Sequence, residues 1–305
     1  MVDLGTCLAA VAAAQLFDNL GIKDALLRVL GPTLDDWGED FKAKMAQHRN
    51  KNFAKIIEAA DRRIRNNSIP NINEINNTIL SETYVNSTIF DGAVYAEYCG
   101  GVLASSKMHN KNDIGQSILK LIYRLSSYEL RFHYLYYMIL SNKFKGKEIN
   151  LGDESYADLC GIYISESDVV KSMEFSEEEI QNKNVIFDMC MTSLVREKLI
   201  GSMYAYAQKG SMIEDSKMPE DGFFIRPTST GANLFLWGTG YGMSPASEIF
   251  SEKKDFTILS QIYIPEAIYW GYSPRSGYAR DVIPAKKFVN YLMGEDEEQK
   301  DSMQS

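Results

Sequence analysis

The 305-residue chain has few of the residues from which most catalytic and metal sites are built. It contains 3 histidines and 4 cysteines, and the cysteines stand singly, without a CxxC pair. No histidine lies close to a cysteine in sequence, which argues against a zinc site. Neither a GxSxG nor a GK[ST] sequence is present to mark a nucleophile or a phosphate loop. We therefore expect a protein that is not an enzyme and binds neither a cofactor nor a metal ion.

Basic charge is also scarce. The formal net charge is −9 and the isoelectric point is about 5.0, while the apolar content (45%) and charged content (24%) are ordinary for a globular protein. This balance argues against broad electrostatic attraction to nucleic acid, although a local basic patch remains possible. Isolated cysteines in apolar segments predict buried thiols in a reducing compartment, and hence a cytoplasmic protein.

Long apolar runs are missing too. The longest clear stretch, CLAAVAAAQLF at residues 7–17, is too short to span a bilayer and lacks a basic leader. We expect a short alanine-rich helix that packs against other helices or mediates self-association. Association with a membrane surface through residues 1–20 is the alternative.

What the chain does have is helical periodicity. The pattern predicts a mainly α protein, with an N-terminal helical bundle followed by a winged-helix-like α+β module that contains a short β-hairpin. The expected division is a helical region at 1–112, the module at 113–240, a C-terminal extension of uncertain structure at 241–293, and a disordered acidic tail at 294–305.

The order of elements carries the winged-helix interpretation. Residues 118–140 form two helices, with Ser126 or Ser127 as the cap of the second. After an ambiguous segment that contains a strand-like GIYIS, Ser176 opens a third helix that runs to about Lys198. A strand, a charged turn at 209–222, a second strand and a helix that starts at TSTG complete the order.

The net charge of the module discriminates between DNA binding and protein contact. Residues 174–221, which hold the third helix and the wing, contain ten acidic and five basic residues. DNA phosphates would be repelled by this surface. A module that packs within the protein or contacts another protein fits the charge better than a DNA reader.

The clearest helix covers residues 32–66, with apolar residues on one face and basic residues roughly opposite. The basic residues form a candidate polyanion-contact face, which would hold phosphates or anionic lipid. Its alternative is the solvated outer face of an amphipathic helix, and no aromatic residues are interleaved to stack on bases. The members of this face are Lys44, Lys51, Lys55, Arg62 and Arg65.

A glycine pair, a histidine and a glycine-rich stretch each allow a structural and a functional interpretation. The pair Gly100 and Gly101 predicts close helix packing, or else a ligand that approaches the backbone. His133 can pair with Glu129 one turn earlier and is expected to make a structural hydrogen bond. The glycine-rich stretch at 238–242 follows a helix instead of a strand, so a flexible loop is favoured over a phosphate loop.

Seven segments together resemble the Abi-alpha family of bacterial proteins associated with abortive infection. The resemblance covers roughly residues 25–240. Tyr95 and the step Val102-Leu103-Ala104 stand where the family is expected to have a tryptophan and Leu-Leu-Ala. The segments are LGPTLDDW with FAKIIEAADRRI, PNINEINNTILSE, VYAEYCGGVLASS, ILKLIYRLSSYELRFHYL, LVREKLIG and FFIRPTSTGANLF.

The resemblance implies a component of bacterial antiphage defence that acts through protein–protein interaction or as a non-enzymatic effector. It supplies no catalytic residue. Two alternatives remain from the residues themselves. One is a winged-helix-like nucleic-acid-binding regulator, and the other is an effector that associates with membranes through the N-terminal alanine-rich helix.

Overall fold

A computed structural model describes twelve ranges of the chain, from Glu39 to Tyr269. These ranges are residues 39–67, 76–88, 92–108, 113–153, 156–157, 160–202, 204–210, 212–213, 216–218, 220–259, 261–266 and 268–269. The apolar segment at 7–17, residues 1–20 as a whole and the tail at 294–305 lie outside the described residues.

Nine α-helices and six short strands occupy the described part of the chain, which confirms the mainly α fold with a small β module. The helices are α1 (Glu39–Asn66), α2 (Asn77–Asn86), α3 (Ala93–Met108), α4 (Ile114–Ile122), α5 (Ser127–Lys143), α6 (Glu166–Met173), α7 (Glu177–Gln181), α8 (Lys183–Arg196) and α9 (Ser229–Gly238). The strands are β1 (Ile162–Ser165), β2 (Ala205–Ala207), β3 (Met212–Ile213), β4 (Ser216–Lys217), β5 (Gly222–Ile225) and β6 (Ile268–Tyr269).

The structure divides into two compact units that interleave along the chain. Unit 1 consists of Met1–Arg131, Asn233–Ser244 and Asp255–Gln261, and unit 2 holds the remaining residues. The predicted domains at 1–112 and 113–240 are consecutive along the chain, so they divide it differently and remain a prediction.

Helices α1 to α4 form the bundle of unit 1. Helix α3 packs along α1 and also contacts α2 and α4. The apolar face predicted for α1 is buried at Phe53, Ile56, Ile57 and Ala60. Burial of this stripe supplies most of the stability of such a helix, because intrinsic helix propensity contributes little by itself.

The glycine pair of α3 has the packing role predicted for it. A Cβ on Gly100 would lie 2.8 Å from the backbone oxygen of Ile56 on α1, and a Cβ on Gly101 would lie 2.0 Å from the backbone oxygen of Gly238. Helix α3 therefore touches neighbouring backbones on two sides, which no larger residue permits.

Unit 2 contains a four-stranded antiparallel sheet in the order β2-β5-β1-β6. The hairpin β2–β5 carries the smaller β3–β4 hairpin within its connection. The succession α5-β1-α6-α8-β2-β5 is the order of a winged helix, in which α8 holds the place of the recognition helix. The strand-like GIYIS segment is β1, and it pairs in register with β5.

Local capping motifs start two helices of unit 2, α7 and α9, where the sequence predicts them. Ser176 Oγ accepts a hydrogen bond from the backbone N–H of Glu179, and the Glu179 carboxylate accepts one from the backbone N–H of Ser176. The expected single helix at 176–198 is wrong in one respect, because it is interrupted at Asn182 and forms α7 and α8. Thr228 Oγ1 accepts from the N–H of Gly231 and starts α9.

The glycine-rich stretch after α9 is a helix cap. The N–H of Gly240 donates to the carbonyl of Trp237, and the N–H of Tyr241 donates to the carbonyl of Leu236. With Gly240 at φ +88°, these bonds make a Schellman motif. The buried N–H of Gly242 donates to Ser105 Oγ. The expectation of a flexible loop therefore missed a packed C-cap.

Candidate protein-contact surface

The predicted polyanion-contact face does not present five equivalent cations. Lys44 belongs to α1, but its side chain lies outside the described residues. Lys51 is exposed and Lys55 is partly buried. Arg65 forms an ion pair with Asp61 one turn earlier, at 2.8 Å. Arg62 contacts Glu97 on α3. Two of the five charges are therefore already neutralised by acidic partners, and the role of this face remains a prediction.

Glu97 is the centre of a buried ion-pair network in unit 1. Its carboxylate accepts a hydrogen bond from Arg62 and another from Arg63, the latter at 3.1 Å. Arg63 also donates through Nη1 to the carbonyl of Thr257, at 3.1 Å. The network therefore joins α1, α3 and the segment Asp255–Gln261 by charge-assisted bonds, and its function is structural.

Among the described residues of unit 2, the outer face of α8 is the clearest exposed apolar surface. Val185 and Met189 expose 61% and 65% of their surface. With the exposed residues Thr192 and Arg196 they follow a spacing of four, three and four positions, which places them on one side of the helix. We call these four residues the α8 face. The opposite side of the helix is buried at Phe187, Cys190, Met191 and Leu194.

Aromatic packing holds α8 against the sheet. The ring of Phe187 meets that of Phe223 on β5 edge-to-face, with centroids 5.0 Å apart. Phe132 of α5 and Tyr206 of β2 also contact Phe223, at 5.9 and 5.4 Å. Edge-to-face aromatic pairs favour one relative orientation. The α8 face is therefore presented by a rigid support.

The basic residues of α8 are occupied by acidic partners. Lys183 contacts the carboxylate of the buried Glu166, which also accepts a hydrogen bond from the hydroxyl of Tyr206. Partial burial and the Glu166 carboxylate raise the pKa of Tyr206 above its ordinary value. At the other end, Arg196 pairs with Glu197 at 3.2 Å. A phosphate backbone would have to displace these carboxylates.

A cleft of about 410 Å³ lies beside Glu166 at the base of the wing. The carboxylates of Glu166, Glu220 and Asp221 that line it accept hydrogen bonds within the module. Ser167 Oγ donates to Glu220 Oε2 at 3.2 Å, and the N–H of Lys209 donates to Asp221 Oδ1 at 2.7 Å. The cleft therefore lies between the wing, α6 and α8, and the hydrogen bond between Ser167 and Glu220 connects α6 to the wing.

Three thiols are buried, as the sequence predicts. Cys99, Cys160 and Cys190 are unbridged thiols and are buried. Burial raises the pKa of Cys99 to about 12 and that of Cys160 further. Because the thiolate is the reactive form, neither of these two is poised for nucleophilic chemistry.

His133 makes the structural hydrogen bond predicted for it, and its partner is the carbonyl of Gly231 at 3.1 Å. Since a carbonyl only accepts, Nε2 carries the proton. Glu129 instead forms a capping box with Ser126 at the start of α5. Complete burial lowers the pKa of His133 to about 3, against which the Gly231 bond acts weakly.

Acidification is expected to destabilise the protein through His133. Its folded pKa lies below the unfolded value of 6.5, so the unfolded state binds the extra proton. The stability that the neutral ring contributes is complete above pH 6.5 and is lost as the pH falls towards 3. From about pH 7 to about pH 5.5, the free energy of unfolding should fall by about 1.2 kcal/mol more in wild type than in His133→Gln. Urea unfolding at both pH values measures the difference, and equal decreases would contradict it.

Among the residues that the structure describes, no three histidine, cysteine or acidic side chains are grouped so as to hold a metal ion. No helix within the described ranges combines the length and apolar character needed to cross a bilayer.

The fold and the α8 face together define a mainly helical protein with a winged-helix-like module. Comparison of the chain with protein family models, with curated proteins and with solved structures finds no match. Sequence reasoning had placed the charge of the module but had not singled out Val185, Met189 or Glu166. The signal that points to the first two is their spacing of four positions, which places them opposite the apolar stripe of Phe187, Cys190, Met191 and Leu194.

Proposed function

We propose that this chain is a cytoplasmic, non-enzymatic component of bacterial antiphage defence of the abortive-infection type. In this proposal, it acts by contacting another protein through the α8 face. The resemblance to the Abi-alpha family supplies the biological setting. The observation that carries the contact role is the exposure of Val185 and Met189 on the helix that takes the recognition position.

Physical chemistry favours a protein partner over DNA at this position. A DNA-reading helix relies on cations that neutralise phosphates, whereas the two basic residues within α8 are paired with Glu166 and Glu197. Exposed Asp188 lies between the two apolar residues and would repel phosphate. Burial of Val185 and Met189 in a protein interface would instead contribute about 1.5–3 kcal/mol for each side chain.

A charge on the α8 face should abolish defence without unfolding the protein. Val185→Asp together with Met189→Asp would place two desolvated carboxylates in the interface, and we expect complete loss of phage resistance. The measurement is plaque efficiency and host survival against a phage panel, with the native neighbouring genes present. Val85→Asp is the matched control, because Val85 of α2 is also an exposed valine, with 52% of its surface accessible.

Three results would count against the proposal. Wild-type protein that changes neither plaque efficiency nor survival contradicts the defence role. Undiminished protection by the α8 variant contradicts the contact site. Salt-sensitive DNA or RNA binding that is lost on charge reversal of Lys44, Lys51, Lys55 and Arg62 would favour the nucleic-acid alternative. Circular dichroism of each variant separates loss of contact from loss of fold.

A further inference from the structure

We infer that the cleft at the base of the wing binds a small zwitterion, a molecule that carries both an ammonium and a carboxylate group, as free amino acids do. The cleft has a volume of about 410 Å³, which lies within the roughly 300–1,000 Å³ typical of small-molecule sites. It shares no lining residue with the α8 face. Binding in the cleft therefore does not require the protein contact proposed above.

The lining of the cleft combines charges of both signs. Helix α6 contributes Glu166, the start of α8 contributes Lys183, and the wing contributes Lys209, Glu220 and Asp221. Three carboxylates and two ammonium groups therefore line one space. A simple anion would meet the carboxylates, and a simple cation would meet the ammonium groups. A zwitterion can place each of its charges against the opposite charge of the protein.

The two carboxylates of the wing each keep one oxygen available. Glu220 accepts a hydrogen bond from Ser167 through Oε2, and Asp221 accepts one from the N–H of Lys209 through Oδ1. Within the described ranges, no further residue donates to either carboxylate. Glu220 Oε1 and Asp221 Oδ2 are therefore the acceptors for the ammonium group of a ligand, to which they would form charge-assisted hydrogen bonds.

Two lysines supply the matching donors. Lys183 gives one of the three N–H donors of its ammonium group to Glu166, and 35% of its side chain remains exposed. Lys209 is exposed, and its ammonium group has no partner among the residues that the structure describes. Both can therefore bind the carboxylate of a ligand without giving up an existing bond.

The floor of the cleft is fixed before any ligand binds. Glu166 is only 6% exposed, and its carboxylate is bonded by Lys183 and by the hydroxyl of Tyr206. The N–H of Glu166 donates to the carbonyl of Asp221 at 2.8 Å, which ties the start of α6 to the end of the wing. A preformed site avoids much of the entropy that ordering would cost on binding.

The carboxylates lie close enough together to form one negative region. Burial raises the pKa of Tyr163 to about 12, and the nearby charges of Glu220 and Asp221 contribute to the rise. Burial also raises the pKa of Tyr206, with contributions from Glu166 and Asp221. The ammonium group of a ligand would be attracted to the same region that disfavours ionisation of these two phenols.

Matched probes test the requirement for both charges. γ-Aminobutyrate carries both, whereas butylamine has only the cation and butyrate only the anion on a chain of equal length. Amide NMR titration of the full-length protein should give a Kd on the order of 0.1–1 mM for γ-aminobutyrate. Each single-charge probe should bind at least about tenfold more weakly. Titration with glycine and β-alanine shows which spacing of the two charges fits best.

Two substitutions separate the two halves of the site. Glu220→Gln removes a partner of the ligand's ammonium group, and Lys209→Gln removes a partner of its carboxylate. Each should raise the Kd of γ-aminobutyrate by about tenfold. Glu220→Gln should not weaken the binding of butyrate, and Lys209→Gln should not weaken that of butylamine. Glu178→Gln and Lys51→Gln are matched controls at exposed positions outside the cleft, and both should leave the Kd unchanged.

Several results would overturn the inference. The absence of saturable shifts with all three zwitterions contradicts it, and so does a single-charge probe that binds as tightly as the best zwitterion. Binding that is unchanged in the double variant Glu220→Gln/Lys209→Gln would place the ligand elsewhere. Far-UV circular dichroism checks that each variant is folded, so that a lost titration reports the loss of a charge.

Discussion

Glu97→Ala is expected to lower the free energy of unfolding by about 3–5 kcal/mol, as is typical when one partner of a buried ion pair is removed. The side chain of Glu97 is buried, and it accepts hydrogen bonds from Arg62 and Arg63. Arg63 is itself buried beneath the network. Without the carboxylate, its guanidinium keeps the bond to the carbonyl of Thr257 but loses its opposite charge. Urea unfolding followed by circular dichroism measures the change.

Two comparisons identify the buried charge as the cause. Arg65→Ala removes an exposed ion pair with Asp61 on the same helix and should cost less than about 1 kcal/mol. The double variant Glu97→Met/Arg63→Met removes the charge together with its partner, so it should be less destabilised than Glu97→Ala. A double variant at least as unstable as the single one would show that packing, and not charge, dominates at this position.

Gly101→Ala is expected to destabilise unit 1 by about 3 kcal/mol, towards the upper end of the usual cost of overpacking. A Cβ at this position would lie 2.0 Å from the carbonyl oxygen of Gly238 and 2.8 Å from that of Trp237. Both obstacles are backbone atoms of α9, so no side-chain rotation can relieve them. A shift of α3 would also disturb the contact of Gly100 with α1.

Gly92→Ala is the matched control for this substitution. A Cβ on Gly92 would meet its nearest neighbour, the Cβ of Ser127, at 3.9 Å, which is ordinary contact. We expect a loss below about 1 kcal/mol from the poorer helix start. Thermal unfolding of the two variants beside wild type gives the comparison. Similar melting temperatures for both would show that α3 has room to move and would contradict the close-packing account.

Structural features that depend on residues close together in the sequence could be predicted from the sequence. The capping boxes at Ser126 and Ser176 and the start of α9 at Thr228 involve bonds that span three residues, so their partners are visible in the chain itself. The strand, wing and strand order was predictable for the same reason, since a hairpin pairs segments that are close in sequence.

Features that depend on distant partners were not accessible. The 3-10 helix Ala246–Phe250 is held in unit 2 by a bond from Ser141 Oγ to the carbonyl of Ile249, at 2.6 Å. Phe256 packs on Phe235 within unit 1. Neither segment has a strong periodicity of its own. Its conformation therefore depends on contacts with residues more than twenty positions away. The sequence therefore leaves the structure of the extension at 241–293 uncertain.

The candidate protein-contact surface also has features that the sequence predicts and features that only tertiary contacts decide. The excess of acidic residues over the module is a property of composition, so the sequence alone argues against a DNA-reading role. Which side of α8 faces outward depends on where Phe187 meets Phe223, and that contact joins residues far apart in the chain. The exposure of Val185 and Met189 was thus a result of tertiary packing.

By itself, the sequence determined the helical class, the caps that start α5, α7 and α9, the hairpin and the sign of the charge on the module. These follow from local hydrogen bonding, side-chain periodicity and composition, none of which requires knowledge of distant contacts. Tertiary structure decided how the last described residues divide between the two units, that Arg62 is engaged by Glu97, and which residues of α8 remain available to a partner. Burial and ion pairing are relations between segments remote in sequence, so the folded chain is needed to establish them.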